Sequence, residues 1–338
     1  MSKELIIPVF IPHLGCRHRC VFCNQRKISG HESMSQAEEI EKQVLNYRAS
    51  CRDLNLREVQ LAYYGGSFTA IAADEQEKYL KAAFALKEKG LIAKIRLSTR
   101  CDYIDDEVIA RLKRYQVDIV ELGVQSLDEQ VLMLSQRGHT AAQVREAAEI
   151  LKQSGFTLGL QMMIALPGDT PAKSIQTAKE IVRLEPDFVR IYPTAIIKDT
   201  ELALMWKNRQ YQPWDWDVLI DTTAEAAEIF QAAHIPIIRI GLQAADNLTF
   251  ERDLLGGGYH PALGEMVKAR IMRRKIERTL AQMPQGAYEI YANVRQLSQI
   301  KGQKNVNTRY FAEKYQQRLY IYADERLLWD ELVIKHTI

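Results

Sequence analysis

Cys16, Cys20 and Cys23 put three of the chain's five cysteines within eight residues, spaced Cys-x3-Cys-x2-Cys, with Phe22 just before the third. A loop folded around a compact object could aim all three thiolates at it, and an iron–sulfur cube is ordinarily held by cysteine thiolates. Clusters that only carry electrons take four such ligands. With three, one iron stays open to a further ligand, so the cluster reads as a reagent. Zinc is the competing reading: a closed structural zinc site wants four protein ligands, and His13 or His18 would supply the fourth. Three unrelated buried thiols fit poorly with a segment so rich in Arg, His and Asn.

The elements that must position this loop alternate between apolar β-rich runs and amphipathic helical ones. Strands are expected over residues 5–11, 59–64, 95–98, 119–123, 157–165, 188–193 and 235–240. Helices are expected over 35–51, 73–89, 105–115, 128–135, 141–154, 174–184 and 217–233, the first opened by a Ser35/Glu38 capping box. Six βα units in succession imply parallel strands joined by right-handed crossovers, and six or seven fall short of the eight that close a barrel. The expected α/β fold is an open, partial (β/α)6-type TIM-like barrel over residues 1–240. A small C-terminal α+β domain over 241–338 should follow the turn-rich joint at 254–261, with a helix at 265–280, strands at 288–292 and 319–322, and a helix at 308–316. Polar and glycine residues collect just after the barrel strands: the cysteine loop, Gly65-Gly66, Arg100, Gln125, Arg137 and Pro167-Gly168. In parallel α/β folds that edge binds ligands.

Composition is ordinary for a globular chain, and a net charge of +2 demands neither an acidic nor a basic partner. From Gly241 onward there are 15 Lys+Arg against 11 Asp+Glu, a mild basic bias. No apolar run approaches the ~18 residues of a membrane span, and the start lacks a signal-peptide pattern. Clustered cysteines suit metal ligation in a reducing compartment, so a cytoplasmic location is expected, with Cys51 and Cys101 as ordinary thiols.

With the cysteine loop after the first barrel strand, the chain resembles the radical S-adenosylmethionine (radical SAM) superfamily. Its local wording is similar to the radical SAM half of the Elongator catalytic subunit, in a bacterial type lacking the acetyltransferase domain. That wording comprises Phe10-Ile11-Pro12-His13, Phe22-Cys23-Asn24-Gln25, Tyr64-Gly65-Gly66-Ser67-Phe68-Thr69, Ser98-Thr99-Arg100, Val120-Glu121-Leu122-Gly123-Val124-Gln125-Ser126, Arg190-Ile191-Tyr192-Pro193-Thr194 and Ile197-Lys198-Asp199-Thr200-Glu201-Leu202. The resemblance implies a [4Fe-4S] cluster on Cys16, Cys20 and Cys23, with S-adenosylmethionine on the open iron. It also implies a 5′-deoxyadenosyl radical, made by reductive cleavage, that abstracts hydrogen from a substrate. Relatives modify the wobble uridine of tRNA with acetyl-CoA bound by a second domain. Here the sequence departs: no acetyltransferase-sized βαβ domain with a coenzyme A loop is evident after residue 240.

The same resemblance assigns cofactor-binding residues. Gly65-Gly66 would approach the methionine amino group, with Ser67 where other members carry an acid. Gln125 would meet the ribose and Arg137 the methionine carboxylate, as in coproporphyrinogen-oxidase-like members, and Gln161 falls at a ribose-binding position. Phe22 would pack near the adenine or simply in the core. Arg100 would face the cofactor or substrate, or form an exposed salt bridge. Tyr192 and Arg239, at later strand ends, are candidate substrate contacts. Lys268, Arg270, Arg273, Arg274, Lys275 and Arg278 make a basic helix face, either solvated or set against RNA phosphates, with the Lys301–Lys304 loop extending it. Three function readings follow: an RNA-modifying radical SAM enzyme, one acting on a small molecule such as a tetrapyrrole, and a non-catalytic cluster-stabilised RNA-binding protein. The first expects tRNA or another RNA as partner and a reductase, flavodoxin or ferredoxin as electron donor.

Overall fold

The computed structural model describes residues 3–11, 15–16, 18–29, 36–52, 54, 57–243 and 248–337. His13 and the expected N-cap Ser35 lie outside them. β1 (Lys3–Phe10) leads through the cysteine loop into the short α1 (Gln25–Ser29) and then α2 (Ile40–Ser50). Next come β2 (Arg57–Tyr64), α3 (Ala73–Glu88), β3 (Lys94–Thr99), α4 (Asp106–Arg114), β4 (Ile119–Gln125), α5 (Glu129–Leu134) and α6 (Ala141–Gln153). β5 (Thr157–Ile164), α7 (Pro171–Arg183), β6 (Phe188–Pro193), β7 (Ala195–Ile197), α8 (Glu201–Lys207), α9 (Trp216–Ala232), β8 (Ile237–Ile240) and β9 (Leu254–Gly257) follow.

Local chemistry sets where the helices begin, and so how long each loop at a strand end is. The side chains of Asp105, Asp128, Thr140 and Thr170 each accept an orphan first-turn amide of the next helix, and Thr140 with Gln143 completes a capping box. α7 starts earlier than residue 174 because Thr170 caps it and Pro171 suits its first turn.

Seven strands pair in the order β1-β2-β3-β4-β5-β6-β8, every pair parallel. β1 and β8 do not pair with each other among the described residues, so the sheet is an open half-barrel. Side chains alternate between its faces. Val120, Leu122, Leu158, Leu160 and Ile191 are fully buried apolar positions, whereas Glu121, Gly123, Gln161, Arg190 and Tyr192 line a cavity.

The chain divides into two compact units, Met1–Trp214 with Ile229–Tyr259, and Asp215–Glu228 with His260–Ile338. This differs from a cut at residue 240. β9 pairs antiparallel with β7, and Ala195, Ile197, Leu248, Leu254 and Tyr259 form one buried cluster, so this stretch packs with the barrel.

The second unit holds α10 (Leu263–Leu280), β10 (Gly286–Ala292), α11 (Leu297–Lys301), α12 (Val306–Tyr315), β11 (Gln317–Ala323) and β12 (Leu332–Thr337). Its sheet order is β11-β10-β12, around a core of Met272, Ile276, Tyr288, Ile290 and Phe311. The basic face of α10 is largely ion-paired within its own unit. Arg270 is 8% exposed and bridges Asp217 (2.5 Å) and Asp221. Arg274 reaches Glu228 (2.8 Å) and Glu225 (3.4 Å), Arg278 pairs with Glu228, Lys268 with Glu265, and Lys275 donates to the Asp330 carbonyl. The Arg273 guanidinium lies 4.0 Å from the centre of the Tyr310 ring. No helix among the described residues is long and apolar enough to cross a membrane.

Candidate active site

The cysteine loop is pinned at its middle. Val21 is buried with Ile196, Leu202 and Tyr211, its N–H donates to the Ser135 carbonyl (3.2 Å) and its carbonyl accepts from the Leu202 N–H (2.7 Å). Cys23 N–H closes a turn on the Cys20 carbonyl (3.0 Å). Gly15, before the first cysteine, has φ +74°, and a Cβ there would sit 2.3 Å from the Ser67 carbonyl oxygen. Glycine therefore lets the loop lie directly on the segment after β2, where the Ser67 main chain hydrogen-bonds the Cys16 thiol.

All three thiols are free of disulfides and line one cavity of about 1730 Å³. Burial, and then the neighbouring Cys20 and Cys16, push Cys23 far above the usual thiol range; burial and Cys20 also raise Cys16. Crowded, buried sulfurs resist ionising together without a cation, and a metal centre supplies that cation as it displaces their protons. The donor set therefore fits a thiolate-bound metal group.

Arg137 reaches into the loop. Its Nη1 donates to Cys20 Sγ (3.0 Å) and its Nη2 to the Gly123 carbonyl (2.6 Å), while its buried Nε has no partner among the described residues. Gly123 makes room for this, since a Cβ there would lie 2.9 Å from Gln125 Nε2 and 3.3 Å from Arg137 Nη2. Gly138 (φ +71°) similarly leaves space for the His18 ring. Gln125 itself has φ +66°, at a register shift between β4 and β5. A bulge of this kind re-aims a side chain at a strand end, and here Gln125 Oε1 accepts a hydrogen bond from Gln161 Nε2 (3.0 Å). Gly65 (φ +101°), Gly66, Gln125, Arg137, Gln161 and Phe22 all line the cavity. Phe22 also packs against the cluster of Val131, Met163 and Leu166, so it is both wall and core.

Arg100 is buried, not an exposed salt bridge. It holds Asp102 through two bonds (2.8 and 2.9 Å), donates to the Arg137 carbonyl and lies 3.5 Å from His139 Nδ1. Cys101, Asp102 and His139 bring three donor atoms within 4.8 Å of one another, but the Arg100 cation already occupies Asp102. Burial and the Asp102 charge push the Cys101 thiol up to about 12. Burial first, then Arg137 and Arg100, push His139 down to about 3 against the opposing charge of Asp102. An unfolded histidine titrates near 6.5, so between roughly pH 6.5 and 3 the unfolded chain binds a proton that the folded chain refuses. The contribution of neutral His139 is complete above about pH 6.5 and is lost on acidification. Urea midpoints between about pH 7 and 5 should fall less steeply for His139→Gln than for the parent; identical profiles would contradict this.

Deeper in the barrel lies a network that the sequence reading did not assign. Glu121 pairs with Arg96 (2.9 Å) and Arg190 (2.5 Å), Tyr64 donates to Glu121 (3.0 Å), and Arg190 donates to Tyr64 (3.0 Å) and Tyr192 (3.2 Å). Arg96 is 2% exposed and also donates to the buried Gln60 (3.0 Å). The available signal was a charged residue at the centre of each of three strands otherwise apolar enough to be buried on both faces.

Residues 10–181 match the sequence family described as the radical SAM superfamily, and residues 186–273 match the radical SAM C-terminal domain. The chain belongs to the radical SAM superfamily. This radical SAM chain is 30% identical over 191 residues to a tRNA uridine(34) acetyltransferase of Methanocaldococcus infernus, covering 51% of this chain and 36% of that protein. It thus spans about a third of that relative's length. An uncharacterized protein of Methanocaldococcus jannaschii is 27% identical over 240 residues, covering 67% of this chain and 72% of that one. Among solved structures, an N-terminally truncated Elp3 of Methanocaldococcus infernus superposes with a TM-score of 0.64 at 20% identity, covering 84% of this chain and 69% of that chain. The similarity to Elongator proteins falls on the radical SAM region, whose half-barrel carries the cysteine loop described above.

Proposed function

We propose that this radical SAM chain is an enzyme. In this reading Cys16, Cys20 and Cys23 hold a [4Fe-4S] cluster, S-adenosylmethionine binds beside it, and the substrate is RNA, with tRNA the class named for its relatives. The observation that carries the reading is the convergence of three free cysteines with Arg137, Gln125, Gln161 and the Gly65-Gly66 backbone on one cavity. A reduced cluster with S-adenosylmethionine supplies one-electron cleavage of the sulfonium bond and, through it, hydrogen abstraction.

The chain's own residues bind and orient. Arg137, tied to Cys20 by one nitrogen, keeps a buried Nε for an anionic oxygen and offers the planar fork that suits the methionine carboxylate. The Gly65-Gly66 backbone allows close approach to the methionine amino group. Gln125 and Gln161 hold each other and present amide groups to the ribose hydroxyls, while Phe22 offers a face to the adenine. With Cys20 as a cluster ligand, Arg137's bond to its sulfur would tune that thiolate as outer partners of metal ligands generally do. A cytoplasmic setting and an electron donor of the reductase, flavodoxin or ferredoxin kind go with this reading.

RNA is supported by the name of the acetyltransferase relative. Nucleoside mass spectrometry of total tRNA and rRNA from cells with and without the gene tests it. One modified nucleoside should disappear from the tRNA fraction; unchanged nucleosides in both fractions would remove RNA as the substrate.

A further inference from the structure

The barrel interior carries more positive charge than its acids balance. Arg96 and Arg190 both lean on the one carboxylate of Glu121, so one of their two charges stays uncompensated. Across the last strand pair, Arg239 on β8 stands in register with Arg190 on β6. Arg239 is half-buried, lines the same cavity and has no acidic partner among the described residues. Asp199 also lines the cavity but pairs with Lys27 (2.8 Å). Like charges on facing neighbours of a sheet repel, and a charge is kept away from water only when something pairs with it.

The donor count points the same way. Of the five N–H groups of a guanidinium, Arg190 commits Nε and one Nη2 hydrogen to Glu121, the other Nη2 hydrogen to Tyr64, and one Nη1 hydrogen to Tyr192. One Nη1 hydrogen remains, and on the neighbouring strand the fork of Arg239 has no acidic partner among the described residues. Such forks take the oxygens of phosphates and carboxylates. There is also room: at about 1730 Å³ the cavity exceeds the roughly 300–1,000 Å³ of an ordinary small-molecule pocket.

We propose that Arg239 and Arg190 form an anion subsite on the inner wall of the half-barrel, and that it binds the phosphate or carboxylate of the molecule on which the site acts. That this anion belongs to the substrate rests on the function proposed above; the subsite itself does not. Arg239 is a specificity residue here, distinct from Arg137 at the cysteine loop.

Titration calorimetry of the full-length protein in low-salt buffer, with pyrophosphate and separately with malonate, tests this. The parent should bind at least one probe, Arg239→Gln should weaken it at least tenfold, and Arg239→Lys should weaken it less. Pyrophosphate alone marks a phosphate-bearing ligand, malonate alone a carboxylate-bearing one, and both mark recognition of charge. Should Arg239→Gln not fold, Arg239→Lys, a point charge in place of a fork, is still expected to weaken binding severalfold. No binding by the parent overturns the subsite. So does undiminished binding by Arg239→Gln (by Arg239→Lys if Gln does not fold), or a loss seen only in Arg137→Gln. The measurement needs neither cluster nor S-adenosylmethionine. Arg239-dependent binding in a protein that never takes up iron would retire the radical reading and keep the subsite.

Discussion

Cys16→Ala, Cys20→Ala and Cys23→Ala should each abolish reductive formation of 5′-deoxyadenosine and drop anaerobically reconstituted iron well below about four per chain, whereas Cys51→Ala should change neither. The asymmetry follows from placement. The first three thiols line one cavity, and the Arg137 guanidinium bonds directly to the middle one. Cys51 caps the C-terminal end of α2 and does not line that cavity. A cube held at three corners has no spare protein ligand, so losing any one leaves two. Iron quantitation with chromatography of the cleavage products reads both effects. Full iron and full cleavage in any one of the three variants would show that the cysteine is not a ligand.

The second large effect is on stability. Glu121→Ala should cost about 3–5 kcal/mol, the range for breaking a buried ion pair by removing one partner. Arg96 and Glu121 are 2% and 4% exposed and the Arg190 side chain 12%, so only the cavity side of the network is open to water that could replace the carboxylate. Removing it sets two guanidinium groups against each other and strips Tyr64 of an acceptor. Glu121→Gln keeps an acceptor but not the charge, so it should lie between parent and Ala. Urea unfolding gives the order, and a Glu121→Ala midpoint equal to the parent's would contradict the network.

Much of the barrel was legible because a parallel sheet announces itself by apolar β-rich runs separated by helical periods, several of them opened by Asp or Thr caps. The site loops were legible for a related reason: glycines, amides and arginines gather after strands, where folding leaves them on one edge. What escaped depends on partners far away in sequence. Leu254-Leu255-Gly256-Gly257 read as a joint, yet it is a strand against Ala195–Ile197. Gly257 is required there, since a Cβ would lie 2.5 Å from the Thr194 carbonyl oxygen.

The basic run on α10 showed its charge but not its counterions. Asp217, Asp221, Glu225 and Glu228 repeat at helical spacing on α9 and neutralise it, so complementary stripes on two helices were the missed signal. β12 is short, mostly exposed and preceded by Asp330-Glu331, and alternation there was too weak to mark a strand. The charges inside the barrel were visible in the sequence, but only the register of β3, β4 and β6 brings Arg96, Glu121 and Arg190 together.

Three cysteines on a four-iron cube would leave one iron open to S-adenosylmethionine. Electron–nuclear double resonance of the dithionite-reduced protein, with S-adenosylmethionine isotopically labelled at its amino nitrogen, tests it most directly. A hyperfine coupling from the label to the cluster spin is the predicted result. A cluster signal unaltered by the labelled compound, or no iron-based signal at all, would contradict the account.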